Sequence, residues 1–148
     1  MPQYPKLTFP AVVLPRRKRD GKTYIPDRVR GGYLLLTPEE WVRRHVIEYL
    51  VGWCGVEIQR LVTEYPVELN GQSQRADIVV VGCDGKPQML VECKAADVEM
   101  SQDVLNQAVR YNSVVGARYI MLTNGLRTFC YEAINKGEYR ELDTLPQL

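Results

Sequence analysis

The segment from Arg75 to Ala95, RADIVVVGCDGKPQMLVECKA, most constrains what this chain can fold into. Its first half is apolar without a break at Ile78-Val79-Val80-Val81, as expected of a strand covered on both faces. Asp84-Gly85 is a turn signal, and Met89 to Cys93 (MLVEC) is a second strand. Two such strands bury nothing by themselves. They require a layer on each side, which points to a sheet sandwiched between helices. Side chains alternate along a strand, so Leu90, Glu92 and Lys94 share one face, while Val91 and Cys93 take the other. Asp77 begins the first strand, and the hairpin carries that beginning opposite the end of the second. Asp77, Glu92 and Lys94 therefore converge.

The flanking segments supply the layers. Thr37-Pro38-Glu39-Glu40 is a helix start, with Thr37 as the cap, Pro38 in the first turn and Glu40 placed to close a capping box. Trp41, Val42, His45, Val46, Tyr49 and Leu50 then fall on one face, and Gly52 is the stop; His45 reads as a packed side chain. Val56 to Leu61 suits a short helical turn. LVTEYPVEL and Asn70-Gly71 make a further strand and hairpin turn, giving a three-stranded antiparallel meander. Ser101 caps a second helix, QDVLNQAVRYNSVVG, which ends at Gly116. YIMLT and TFCYEAI read as two more strands, the latter followed by a turn at Asn135-Lys136-Gly137 and a short tail. Upstream, Leu7 to Leu14 carries Pro10 and suits an edge or irregular strand. The expected class is α/β (α+β), a central mixed β-sheet flanked by helices. It forms a single domain over residues 1–148, with a β-rich extension over 1–36 and a core over 37–134.

Composition is that of an ordinary globular domain, 45% hydrophobic and 25% charged in 148 residues. Nineteen basic against eighteen acidic residues leave a charge of +1, which gives little non-specific affinity for nucleic acid by charge alone. Productive binding to DNA would then call on a homodimer or partner subunits. The one concentrated basic stretch is Arg16-Arg17-Lys18-Arg19, ahead of an Asp-Gly turn. It reads either as a solvated hairpin tip or as a contact to nucleic-acid backbone. The four cysteines form no C-x-x-C pair and there is one histidine, so no zinc site is indicated. Free thiols, no signal peptide and no apolar run near the ~20 residues of a membrane span point to the cytoplasm, away from membranes.

The chemistry available to the hairpin is specific. Two carboxylates, Asp77 and Glu92, with the backbone carbonyl of Cys93, form a hard oxygen site suited to Mg2+ or Mn2+. Such an ion polarises a scissile phosphate and activates water. Lys94 beside it would steady the water or the charge of the transition state. A Glu–Lys set at a sheet edge also discourages aggregation, which is the plainer use of the same residues.

Taken together, RAD, the hairpin and VECK resemble the D…(D/E)-x-K signature of the PD-(D/E)XK nuclease superfamily. LTPEEW, RADIVV, DGKP, LVECKA, QAVRYN and LTNG, spanning Leu36 to Gly125, are similar to the N-terminal nuclease domain of type I restriction enzyme R subunits. The resemblance implies a restriction-endonuclease-like core and Mg2+-dependent hydrolysis of DNA. Under it Asp77 and Glu92 are metal-binding acids, Lys94 is the catalytic lysine, and Glu40 matches an additional metal ligand of some members. Gln107 and Tyr111 match a Q-x-x-x-Y helix motif that lines the site and orients substrate. Ala76 stands where the signature has proline, and no Walker-type G-x-x-x-x-G-K-[ST] occurs, so the helicase motor of R subunits is absent from this sequence. The competing reading is a catalytically silent module of the same fold, binding DNA or protein.

Overall fold

A computed structural model describes residues 4–148. Six strands form one sheet in chain order: β4 (Leu61–Leu69), β5 (Gln72–Val81), β6 (Pro87–Cys93), β7 (Tyr119–Thr123), β8 (Thr128–Asn135) and β9 (Glu138–Leu142). Every neighbouring pair is antiparallel except β6 and β7, which run parallel because helix α2 (Gln102–Val115) crosses between them. Before the sheet come a small antiparallel sheet, β1 (Arg17–Arg19), β2 (Lys22–Pro26) and β3 (Tyr33–Leu35), and helix α1 (Pro38–Gly52). The mixed sheet between helices is the expected fold class.

The two helices cover opposite faces. α1 delivers Val42, Val46, Ile47 and Leu50 to a core with Ile78, Val80, Met89 and Val91. α2 delivers Val104, Ala108 and Tyr111 to a second core with Val79, Leu90, Ile120 and Leu122. The alternation of β5 and β6 between these two cores is why their sequences are apolar on both sides. α1 starts on Thr37, whose Oγ1 accepts the Glu40 N–H at 3.1 Å, and α2 ends on Gly116 in the left-handed conformation, φ 74°.

One irregularity positions the site. Thr63 pairs with Ile78 and Tyr65 with Ala76, but Glu64 and Asp77 between them do not pair. Glu64 has φ 52°, a left-handed conformation uncommon for a non-glycine residue and here found inside a strand rather than at a turn. Beyond this break the strands change faces. Leu61 and Ile78 belong to the α1 core, whereas Tyr65, Val67 and Ala76 belong to the α2 core. The hairpin thus turns away from the central sheet at the level of Asp77.

Three local expectations differ from the structure. Residues 7–14 form no strand; instead Leu7 is buried, and the Thr8 N–H donates to the Gly125 carbonyl at 2.8 Å. Gly125, at φ 84°, lies so close that a Cβ there would come within 2.6 Å of the Leu7 side chain. The tail after Lys136 is strand β9, so the sheet extends to Leu142, beyond the core boundary at 134. Its charged, half-exposed EYREL pattern is that of a protected edge rather than an apolar strand. Ser101 occupies the N-cap of α2 without a side-chain hydrogen bond. No helix among the described residues is long and apolar enough to cross a membrane.

Ile78 is fully buried at the point where β5 meets α1. Ile78→Ala should lower the unfolding free energy by about 2–5 kcal/mol, read from urea denaturation.

Candidate active site

Continuing the β5–β6 register one step past Ile78 and Val91 sets Asp77 opposite Glu92. The Asp77 N–H donates to Glu92 Oε1 at 3.3 Å, and the Cys93 N–H donates to Asp77 Oδ2 at 2.7 Å. Both acids are nearly withdrawn from water, the Asp77 side chain 13% exposed and Glu92 5%. Lys94 follows directly, half-buried, its backbone N–H bonded to the Thr123 carbonyl and its ammonium acting on both carboxyls.

On α2, Gln107 and Tyr111 face the same place. Gln107 Nε2 donates to the Tyr111 hydroxyl at 3.0 Å, and that hydroxyl lies 3.4 Å from Gln74 Oε1 on β5. Burial, then the neighbouring Glu92, pushes the Tyr111 phenol up, so it stays a neutral hydroxyl. Gln74 joins this group without any signal in the sequence, because a strand glutamine three residues before an acid is unremarkable.

α1 brings an arginine as well as its acids. Arg43 NH2 lies 2.9 Å from Asp77 Oδ1 and 3.6 Å from Glu39 Oε1, and its NH1 lies 3.2 Å from Glu40 Oε1. Glu40 is held by two arginines, since its Oε2 accepts from Arg44 Nε at 3.2 Å. The capping box is therefore half-formed: the Glu40 backbone uses Thr37, but its carboxylate turns to arginines. Glu39 is the α1 acid whose surroundings are those of the site. Burial and then the charge of Asp77 push its carboxyl up, with Arg43 and Lys94 pulling the other way. Neither Arg43 nor Glu39 belongs to the set expected from sequence; their spacing of four, which makes them neighbours on a helix, is the one signal that points to them.

The basic run Arg16, Arg17, Lys18 and Arg19 is exposed throughout. Arg17–Arg19 form β1, the Arg17 guanidinium rests 4.6 Å from the Tyr33 ring centre, and Arg16 rests 5.0 Å from that of Trp41 at the start of α1. It is not in direct contact with Asp77 or Glu92 through any hydrogen bond or ion pair among the described residues.

A family model described as the type I restriction enzyme R protein N terminus (HSDR_N) matches residues 38–146. The chain belongs to this family. No curated protein matches it. A solved structure from Anabaena variabilis, described as a candidate nuclease of the DUF820 family, aligns with a TM-score of 0.42 and 15% identity over 85% of this chain and 75% of that one.

The two facing acids cannot both be ionised cheaply. Burial, then the Asp77 charge, pushes the Glu92 carboxyl up to about 9. Burial also pushes Asp77 up, against the pull of Arg43 and the Cys93 N–H. Among the described residues no three Asp, Glu, His or Cys side chains already stand as a metal-holding cluster. The donor types nevertheless fit a hard divalent ion: two carboxyls across a hairpin and the Cys93 carbonyl beside them, with water able to complete an octahedron. A cation there would restore the charged form of Glu92 and release its proton.

The raised Glu92 also fixes a pH dependence. From its ordinary value of 4.5 up to about 9 the folded, metal-free protein holds a proton that the unfolded chain has lost. The stabilisation is complete below that range and disappears as pH rises through about 9. Urea unfolding in chelator should show stability falling from pH 5 to 9, with a shallower fall in Glu92→Gln, whose amide is neutral throughout.

Proposed function

We propose that this domain hydrolyses DNA phosphodiester bonds with the help of Mg2+ or Mn2+. The observation that carries the reading is the pair of Glu92, buried near the end of β6, and Asp77, largely buried opposite it on β5, with Lys94 as the next charged residue. Two carboxyls brought together out of water hinder each other's ionisation and add no stability of their own, whereas a divalent cation would give both a common partner. The family's description as part of a restriction enzyme supports DNA as the substrate.

In this reading Asp77, Glu92 and the Cys93 carbonyl would hold the ion, which would supply Lewis acidity to the phosphate and a lowered pKa to water. Glu39 or Glu40 would be the acid added from α1, and the surroundings of Glu39 favour Glu39. Lys94 provides a fixed positive charge where the pentavalent phosphorus gathers negative charge. Gln107, Tyr111 and Gln74 form a neutral hydrogen-bonding wall that orients the strand without adding charge to the site. The exposed Arg16, Arg17, Lys18 and Arg19 contact phosphates outside it. With a net charge of +1, one domain makes few such contacts, and a second copy or a partner subunit completes the grip on DNA.

A second reading has a specific observation behind it. Arg43 already neutralises Asp77 at 2.9 Å, an arrangement that also suits a silent DNA-binding module. Incubation of supercoiled plasmid with Mg2+ or Mn2+ separates the two. Asp77→Ala, Glu92→Ala and Lys94→Ala should each cut at least ~100-fold more slowly than the parent protein. Cleavage persisting undiminished in all three would remove the hydrolytic reading.

The basic hairpin makes a separate expectation. Replacing Arg17, Lys18 and Arg19 together by alanine should weaken DNA binding without changing its sequence preference. The slope of log affinity against log salt should become shallower by about 0.9 for each phosphate that these side chains neutralise.

A further inference from the structure

Arg43 is the least ordinary residue near the site. Its side chain is 10% exposed, yet it meets acids from three elements: Asp77 Oδ1 at 2.9 Å, Glu40 Oε1 at 3.2 Å, Glu39 Oε1 at 3.6 Å and Glu64 Oε1 at 3.9 Å. Glu64 is the residue held at φ 52° opposite Asp77, so the break in β4 and β5 puts one more carboxylate within its reach. Despite so many acceptors, Arg43 Nε is buried with no hydrogen-bond partner among the described residues. A buried N–H left unmade is costly, and it is unexpected for a residue whose only task is to anchor α1.

The contacts at Asp77 show what the arrangement excludes. Oδ2 is taken by the Cys93 N–H and Oδ1 by Arg43. A guanidinium is always charged, so a divalent ion at Oδ1 would sit directly against a fixed positive group. The other carboxylates offer a retreat. Glu39, Glu40 and Glu64 all lie within 3.9 Å of the guanidinium, so it can leave Asp77 without becoming an unpaired buried charge.

We infer that Arg43 is the internal cation of this site: it pairs with Asp77 in the metal-free protein and yields Asp77 Oδ1 to a divalent ion when one binds. Metal loading is then a displacement between two cations rather than the filling of a prepared hole. The arginine holds the acids together while the site is unloaded and sets the concentration of metal at which it loads. This rests on the reading of Asp77 and Glu92 as the metal-holding acids.

The test measures binding, without DNA or turnover. Mn2+ titration followed by electron paramagnetic resonance compares the parent with Arg43→Met, Arg43→Lys and Asp77→Asn. Arg43→Met keeps most of the length of the side chain and removes its charge, and should bind Mn2+ about tenfold more tightly, within the usual range for coupled sites. It should also melt lower in chelator and recover more on adding Mn2+, with Arg43→Lys lying closer to the parent. In the parent protein the Arg43 Nε–H resonance should shift on adding Mg2+, and should not shift in Asp77→Asn. This second measurement stands even if Arg43→Met does not fold. Equal or weaker Mn2+ binding by Arg43→Met, or an Arg43 resonance unmoved in a parent that binds Mg2+, overturns the displacement but leaves the acids as ligands. Failure of both parent and Arg43→Met to bind Mn2+ removes the metal reading and the displacement with it.

Discussion

The proximity of Asp77, midway along β5, to Glu92, near the end of β6, is the constraint that the rest of the structure answers to. Two buried carboxyls side by side must protonate, pair or bind a cation. The structure answers with the first two at once: burial beside Asp77 pushes the Glu92 carboxyl up to about 9, and Asp77 takes the Cys93 N–H and the Arg43 guanidinium. The fold is otherwise a conventional layered one, and its irregular features gather here. They include the unpaired step at Glu64 and Asp77, the left-handed Glu64 and the orphaned Arg43 Nε.

Charge then links the site to the N-terminal segment. Asp27, ahead of β3, caps its own turn by accepting the Val29 and Arg30 N–H groups, and pairs with Arg44 at 3.1 Å. Arg44 passes to Glu40, Glu40 to Arg43, and Arg43 to Asp77. Alternating charges thus run along α1 from the small sheet to the large one, mostly out of water. Pairs of this kind add little net stability compared with apolar packing, but removing one member leaves its partner charged and buried.

Much of the site was legible because it is carried by local pattern. The strand alternation of LVECK put Glu92 and Lys94 on one face, and the hairpin turn at Asp84-Gly85 brought Asp77 across to them. Gln107 and Tyr111, four apart on α2, were expected on one face and hydrogen-bond to each other. The α1 residues were harder. Glu39 and Glu40 differ by one position, which is a rotation of about 100° around a helix. Sequence pattern offers Glu40 a capping role that its carboxylate does not take, and which acid meets Asp77 depends on how α1 lies across the sheet.

By itself, then, the sequence determined the two helices, the strands from Leu61 to Asn135 and the pairing of the two central strands, because those follow from short-range periodicity and turn chemistry. Only the tertiary structure decided that Arg43 reaches Asp77, that Glu64 stands opposite it in a strained conformation, and that Gln74 joins Tyr111. It also made a strand of the charged segment Glu138–Leu142, whose edge position no apolar pattern announces. These contacts join residues far apart in the chain. Their energies are set by burial and by neighbouring charge, and neither exists until the sheet and both helices have closed around them.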